Sequence, residues 1–313
     1  MILPQSLEIM TIILNRTQSR TTLAILLMIA AMFIVPFMDA IAKSLSARFP
    51  ILQIVWGRFF FHFVIITPLV FYRNKWDVFS TKKPYLQISR GLFLLAATLC
   101  FFGAIKYIPL ADATALIFFD AVIVVGLSSL ILKEKVSAGH WFACGLGLIG
   151  VLIIVRPGFE TFHWASFSAL AASAFFALYL LSTRFLAEHS APLTTLFYQS
   201  VGGCVLMSIA MPFVWVTPRL FDLLLMATIG LTGAIGHLLL IRAFQNANAS
   251  LLAPYRYAEI IMQVILGFWF FGDLPDTWAW LGIALIISVG IYLSIYARRT
   301  LTYKNDGNQN INI

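Results

Sequence analysis

The sequence predicts an all-α membrane protein: ten transmembrane helices in two inverted five-helix repeats around a central cavity. Three observations predict it. Of 313 residues, 61% are hydrophobic and 11% charged, whereas a soluble domain carries about 25% charged residues. Apolar stretches long enough to cross a bilayer recur along the whole chain, separated by short polar connections. Finally, one segment of the first half aligns without gaps on one of the second half, with acids matching acids inside otherwise apolar runs.

Taken in order, the spans fall at about 22–46, 51–72, 86–106, 110–132, 140–156, 164–185, 193–216, 222–241, 250–271 and 277–297. The domain reading is a segment 1–21, a first five-helix repeat 22–156, a second repeat 164–297 and a polar tail 298–313. The connections leave no room for a soluble catalytic domain. The first twenty residues show no secretory signal pattern, so the first span is expected to direct insertion.

Ten spans put both termini on one side, and Lys and Arg choose which. Of the 21 basic residues, Lys43, Arg58 and Arg256 lie within spans, and Arg48, Lys106, Arg156 and Arg219 lie on the side away from the termini. All the others, Arg90 among them, fall on the side of the termini, which is therefore expected to be cytoplasmic. The net charge of +8 thus reflects membrane orientation. No basic face or arm offers a nucleic-acid surface.

The internal repeat sets residues 103–141 on 242–280 at a constant offset of 139. Asp120 then meets Glu259, Glu134 meets Asp273 and Trp141 meets Trp280. An odd number of spans per half makes the halves insert with opposite orientation, the layout of many secondary transporters, whose solute sites lie at the repeat interface.

Ionisable residues inside spans are costly and mark function or pairing. They are Asp39 and Lys43, Arg58 and His62, Asp120, His237, and Arg256 with Glu259. Three of these pairs sit three or four residues apart, on one helix face, so each can pair within its own helix. Static pairing is one reading; one wall of a solute site is the other. Pro254 precedes Arg256 as Pro36 precedes Asp39, and a proline opens the helix and frees carbonyls at that depth. Lys43 could instead snorkel to a membrane surface, and Arg58 could lie near the headgroups. Asp120 and Glu259 are the best candidates for a protonatable or solute-contacting role. Arg256 is expected to meet a solute carboxylate or an acid on a partner helix. Tyr255 and Tyr257 would shape the pocket by stacking and cation–π contact, and Asp39 and Arg58 would complete its charge network.

Glycines in span 5 (Gly145, Gly147, Gly150) and span 8 (Gly230, Gly233, Gly236) allow close helix approach. Cys100, Cys144 and Cys204 have no metal-ligand spacing and read as packing residues. Neither a phosphate-binding loop nor a zinc-protease or nucleophile-elbow motif occurs, so no cofactor or metal is expected. An intramembrane enzyme built on Asp120, His237 and Glu259 has no motif to support it.

With these residues in view, the chain resembles the EamA type of the drug/metabolite transporter superfamily. The resemblance covers nearly the whole chain. It rests on Arg58-Phe59-Phe60, on Lys133-Glu134-Lys135, and most specifically on Ala253-Pro254-Tyr255-Arg256-Tyr257-x-Glu259 followed by Phe271-Gly272-Asp273-x-Pro275-Asp276. The last two motifs are similar to the branch containing S-adenosylmethionine uptake transporters. The resemblance implies a bacterial inner-membrane protein whose partners are the lipid bilayer and a small-molecule metabolite, with protons or a counter-substrate as candidates for coupling. It also implies relatives that move amino acids, riboflavin and other metabolites, in either direction.

Overall fold

The structure, a computed structural model, describes residues 5–74, 78, 81, 83–120, 122–124, 127, 138–155, 163–187, 189–247 and 252–309. All regular structure among them is helical. In order the helices are α1 (Gln5–Leu45), α2 (Ile51–Asn74), α3 (Pro84–Ile105), α4 (Leu110–Ile117), α5 (Ala138–Val155), α6 (Ala165–Ala187), α7 (Pro192–Val214), α8 (Leu220–Asn246), a 3₁₀ segment (Ala253–Tyr257), α9 (Ala258–Phe271) and α10 (Thr277–Gln309). Six of them (α1, α2, α3, α6, α7 and α8) are long and apolar enough to cross a membrane, and the chain is a multi-pass membrane protein. α1 and α10 run on into the polar end segments; no proline or glycine other than Pro36 interrupts the chain from Gln5 to Leu45.

The predicted spans 4 and 9 are not plain helices. α4 tightens into a turn at Phe118 and Phe119, where the Phe119 N–H bonds the Leu116 carbonyl at 3.2 Å. Span 9 opens with the 3₁₀ segment, which has Pro254 in its first turn, and becomes α-helical only at Ala258. A 14-residue helix such as α9 extends only about 21 Å at 1.5 Å per residue, short of a bilayer core. Residues 128–137, with the end of span 4 and the Lys133, Glu134 and Lys135 that follow it, lie outside the described residues. So does any test of the match between Glu134 and Asp273.

The long helices pack in matched sets. α1 lies on α8 and α3 on α6; α1 lies on α9 and α4 on α6; α2 lies on both α7 and α8, and α3 on α7. α4 meets α9, and α5 meets α10. Exchanging α1–α5 with α6–α10 maps this set of pairs onto itself: α2–α7, α4–α9 and α5–α10 are unchanged and the others swap in twos.

Glycines set the closest crossings. A Cβ on Gly230 of α8 would come 2.8 Å from the His62 backbone nitrogen and 2.6 Å from Phe61 Cβ on α2. On Gly150 of α5 it would come 2.8 Å from Ile286 of α10. Gly145 is different, with nothing within 4 Å. α9 ends at Gly272, whose φ of 70° is left-handed and favours glycine. The Gly272 N–H bonds the Phe268 carbonyl and the Asp273 N–H the Gly267 carbonyl, at 3.0 and 3.1 Å. Asp276 then accepts the Ala279 N–H at 2.8 Å to start α10. The Phe-Gly-Asp-x-Pro-Asp stretch is therefore a helix stop followed by a helix start.

Candidate functional site

Between the halves lies a cavity of about 680 Å³, counting its open mouth. α1, α2, α3, α4, α6, α8, the 3₁₀ segment and α9 all contribute to its wall. Its polar lining is Asp39, Arg58, Thr98, Thr114, His237, Arg256 and Glu259, set among Met32, Leu94, Phe101, Phe176 and Leu240. Pro36 has no N–H, so it leaves the Met32 carbonyl without its usual helix partner on this wall.

The interrupted helices hold the first charge pair. Arg256 Nη2 donates to Asp120 Oδ2 at 2.9 Å, with the Asp120 side chain only 1% exposed. The guanidinium also lies over the rings of Phe118 and Phe176, 5.4 and 5.5 Å from their centroids. The tight turn before Asp120 and the 3₁₀ turn carrying Arg256 bring the two groups face to face across the halves. Glu259, one turn beyond, lines the cavity and has no side-chain hydrogen bond or ion pair among the described residues.

The pairs read from spacing therefore form differently. Arg256 turns to Asp120, not to Glu259 three residues on. Lys43 turns from Asp39 to Asp273, at 2.6 Å, and donates to the Ile108 carbonyl at 3.1 Å; its Nζ sits 5.0 Å from the Phe271 centroid. It is tied into the protein at the end of α1. Asp39 accepts from Gln263 of α9 at 2.7 Å while its other oxygen is buried with no hydrogen-bond partner among the described residues. Arg58 is buried and bonds Thr98 of α3 and His237 of α8 (2.9 Å), not His62. Each helix places its charges where a neighbouring helix supplies the answering group. A pair along one helix would leave both groups facing the same apolar surface.

The predicted tyrosines lie elsewhere. Tyr255 packs with Met28, Leu252 and their neighbours against α1. Tyr257 meets Phe118 edge-on at 4.9 Å and points its hydroxyl at Gly290 of α10. Neither lines the cavity.

Arg90, counted with the basic residues on the side of the termini, forms a buried cluster of its own. Arg90 lies inside α3 and is 0% exposed. It donates to the Thr183 hydroxyl at 2.7 Å, the Tyr179 hydroxyl at 2.8 Å and the Thr195 carbonyl at 3.3 Å, and its guanidinium lies 4.5 Å from the Tyr179 centroid. Its position seven residues into a span that begins at Pro84 was the available signal. Gln53 was also unremarked: its amide bonds both the carbonyl and the N–H of Val216 (2.7 and 2.9 Å), bracing the connection before α8.

A helical bundle that closes on a charged cavity between two halves belongs to the class of polytopic membrane proteins. The family model for the EamA-like transporter family matches twice, at residues 22–156 and 163–296, and the chain belongs to that family. It is 27% identical to an S-adenosylmethionine uptake transporter of Rickettsia bellii over 85% of this chain and 91% of that one. It is 29% identical to the pseudopaline exporter CntI of Pseudomonas aeruginosa, over 86% of this chain and 95% of that one. A crystal structure with 17% identity superposes with a TM-score of 0.64, covering 88% of this chain and 98% of the other; that likeness concerns the fold.

Proposed function

We propose that the chain is a secondary active transporter that carries a small organic metabolite across the bacterial inner membrane by alternating access, with S-adenosylmethionine uptake as the leading case. The proposed architecture is ten membrane helices in two inverted repeats, 22–156 and 164–297, with both termini and the end segments 1–21 and 298–313 cytoplasmic. The twofold exchange of helix contacts and the two family matches support the repeat.

The observation that carries the function is the charge on the cavity wall. Arg256 is neutralised by Asp120, which leaves two carboxylates, Asp39 and Glu259, against one guanidinium, Arg58. A solute with one carboxylate and two positive groups balances that wall. S-adenosylmethionine carries a carboxylate, an amine and a sulfonium, besides an adenine ring. Glu259 and Asp39 receive the positive groups in this reading. Glu259, open to the cavity, is also the natural site for a coupled proton. Arg256 and Asp120 hold the break points together, and Tyr255 and Tyr257 set their packing from outside. The exporter among the relatives supports the second reading, outward transport of a related zwitterion.

The test is uptake of labelled S-adenosylmethionine into proteoliposomes, empty or preloaded with unlabelled compound, beside Glu259→Gln. Saturable uptake that preloading stimulates and the substitution abolishes is the expected result. Uptake no greater than in protein-free liposomes removes this substrate. Resistance of expressing cells to a toxic metabolite, without uptake, would favour export.

A further inference from the structure

We infer that Arg58 is the anchor for a solute carboxylate and that His237 is the positioning residue that aims it. The inference deepens the transport reading and rests on it for its use, though not for the binding event itself.

Arg58 lines the cavity with 4% exposure, and among the described residues no carboxylate lies within ion-pairing distance. Its bonded neighbours are neutral: the Thr98 hydroxyl, which itself donates to the Leu94 carbonyl at 2.7 Å, and His237 Nε2 at 2.9 Å. Asp39, the acid sharing this wall, takes its hydrogen bond from Gln263. Asp39 therefore acts on Arg58 only through space, and a buried cation with no carboxylate bonded to it is costly; an arginine fork matches a carboxylate in two-pronged fashion. Two of its five N–H groups are committed, so the rest remain for a ligand.

The aim of the guanidinium is set by a chain of hydrogen bonds whose direction is fully determined. A guanidinium only donates, so His237 Nε2 accepts. The neutral ring then carries its proton on Nδ1 and gives it to the Tyr179 oxygen at 3.0 Å. That oxygen also accepts from Arg90 at 2.8 Å, so the Tyr179 proton turns to Gln199 Oε1 at 3.4 Å. Arg58, His237, Tyr179, Arg90 and Gln199 come from α2, α8, α6, α3 and α7, drawn from both halves. Arg90 occupies one lone pair of the Tyr179 oxygen at the far end, so the direction of the chain is set by Arg58, whose guanidinium can only donate to Nε2.

The experiment is direct binding to the full chain in nanodiscs, comparing acids with their decarboxylated counterparts. The pairs are S-adenosylmethionine with decarboxylated S-adenosylmethionine, and methionine with 3-methylthiopropylamine. Wild type is expected to prefer the acid by roughly 10- to 100-fold, the value of a charge-assisted hydrogen bond of about 1.5–3 kcal/mol. Arg58→Gln should erase the preference while keeping affinity for the amine. His237→Leu should reduce it about tenfold, and His237→Gln, which restores an acceptor, should recover most of it. A preference that survives Arg58→Gln overturns the anchor, as does binding of neither acid. A preference equal in His237→Leu and wild type overturns the positioning role. In parallel, ¹⁵N-histidine NMR should show the Nδ1–H form of His237 in wild type and its loss in Arg58→Met, which offers Nε2 no donor; no change between them also counts against the chain. Binding that shows the acid preference without uptake into liposomes would sink the transport reading and leave the anchor standing.

Discussion

Asp120 sits 1% exposed against the Arg256 guanidinium, and burial makes the pair unequal to the sum of its members. Removing Arg256 takes the answering cation from a carboxylate that solvent does not reach, a loss of roughly 3–5 kcal/mol. Arg256→Met should therefore lower the thermal unfolding midpoint in detergent markedly. Arg256→Met combined with Asp120→Leu should regain much of that loss, because two apolar side chains need no partner. Measuring both midpoints decides it: a double variant as unstable as the single one would show that the pair contributes more than neutrality. Which ionisable residues stand within apolar stretches was legible in the sequence. Their partners were not, because spacing along a helix records only neighbours on that helix. Arg58 meeting His237, Lys43 meeting Asp273 and Asp39 meeting Gln263 each depend on which helices the fold sets side by side.

Among the helices, glycine is legible as a class but not position by position. Gly145 and Gly230 look alike in the chain, yet one faces open space and the other the backbone of α2. Gly230→Ala should cost about 1–3 kcal/mol of stability through forced separation of α2 and α8. Gly145→Ala should be neutral or slightly stabilising through helix propensity. Thermal midpoints of the two variants check the contrast, and equal midpoints would refute it. Pro254 announced the break before α9. The matching tight turn before Asp120 carried no such mark, since Ile117, Phe118 and Phe119 have no proline or glycine beside them. Beside that turn the Phe118 ring meets Arg256 and Tyr257 of the second half, a contact that could be found only once α4 and α9 were seen together.

For the whole molecule, the ends of the bundle are closed by different chemistry. Lys43, Ile108 and Asp273 gather the ends of α1, α3 and α9, while Arg90, Thr183 and Thr195 gather the opposite ends of α3, α6 and α7. The cavity lies between. If transport requires the first of these ends to open, joining Lys43→Cys to Asp273→Cys with a short bifunctional thiol reagent, in a chain lacking Cys100, Cys144 and Cys204, should stop turnover. A reducible linker should restore it on cleavage. Turnover that persists in the cross-linked protein would place the moving end elsewhere.

The two ties between α1 and α9 restrict how that opening can happen. Asp39 is held by Gln263 and, one turn further along α1, Lys43 is held by Asp273. A screw-like slip of one helix past the other by a turn, about 5.4 Å, would tear both at once. A tilt about the first tie parts only the second and leaves the first whole. α1 and α9 thus behave as a clothes-peg rather than a piston: the jaws separate at Lys43 and the spring stays at Asp39, beside the cavity wall.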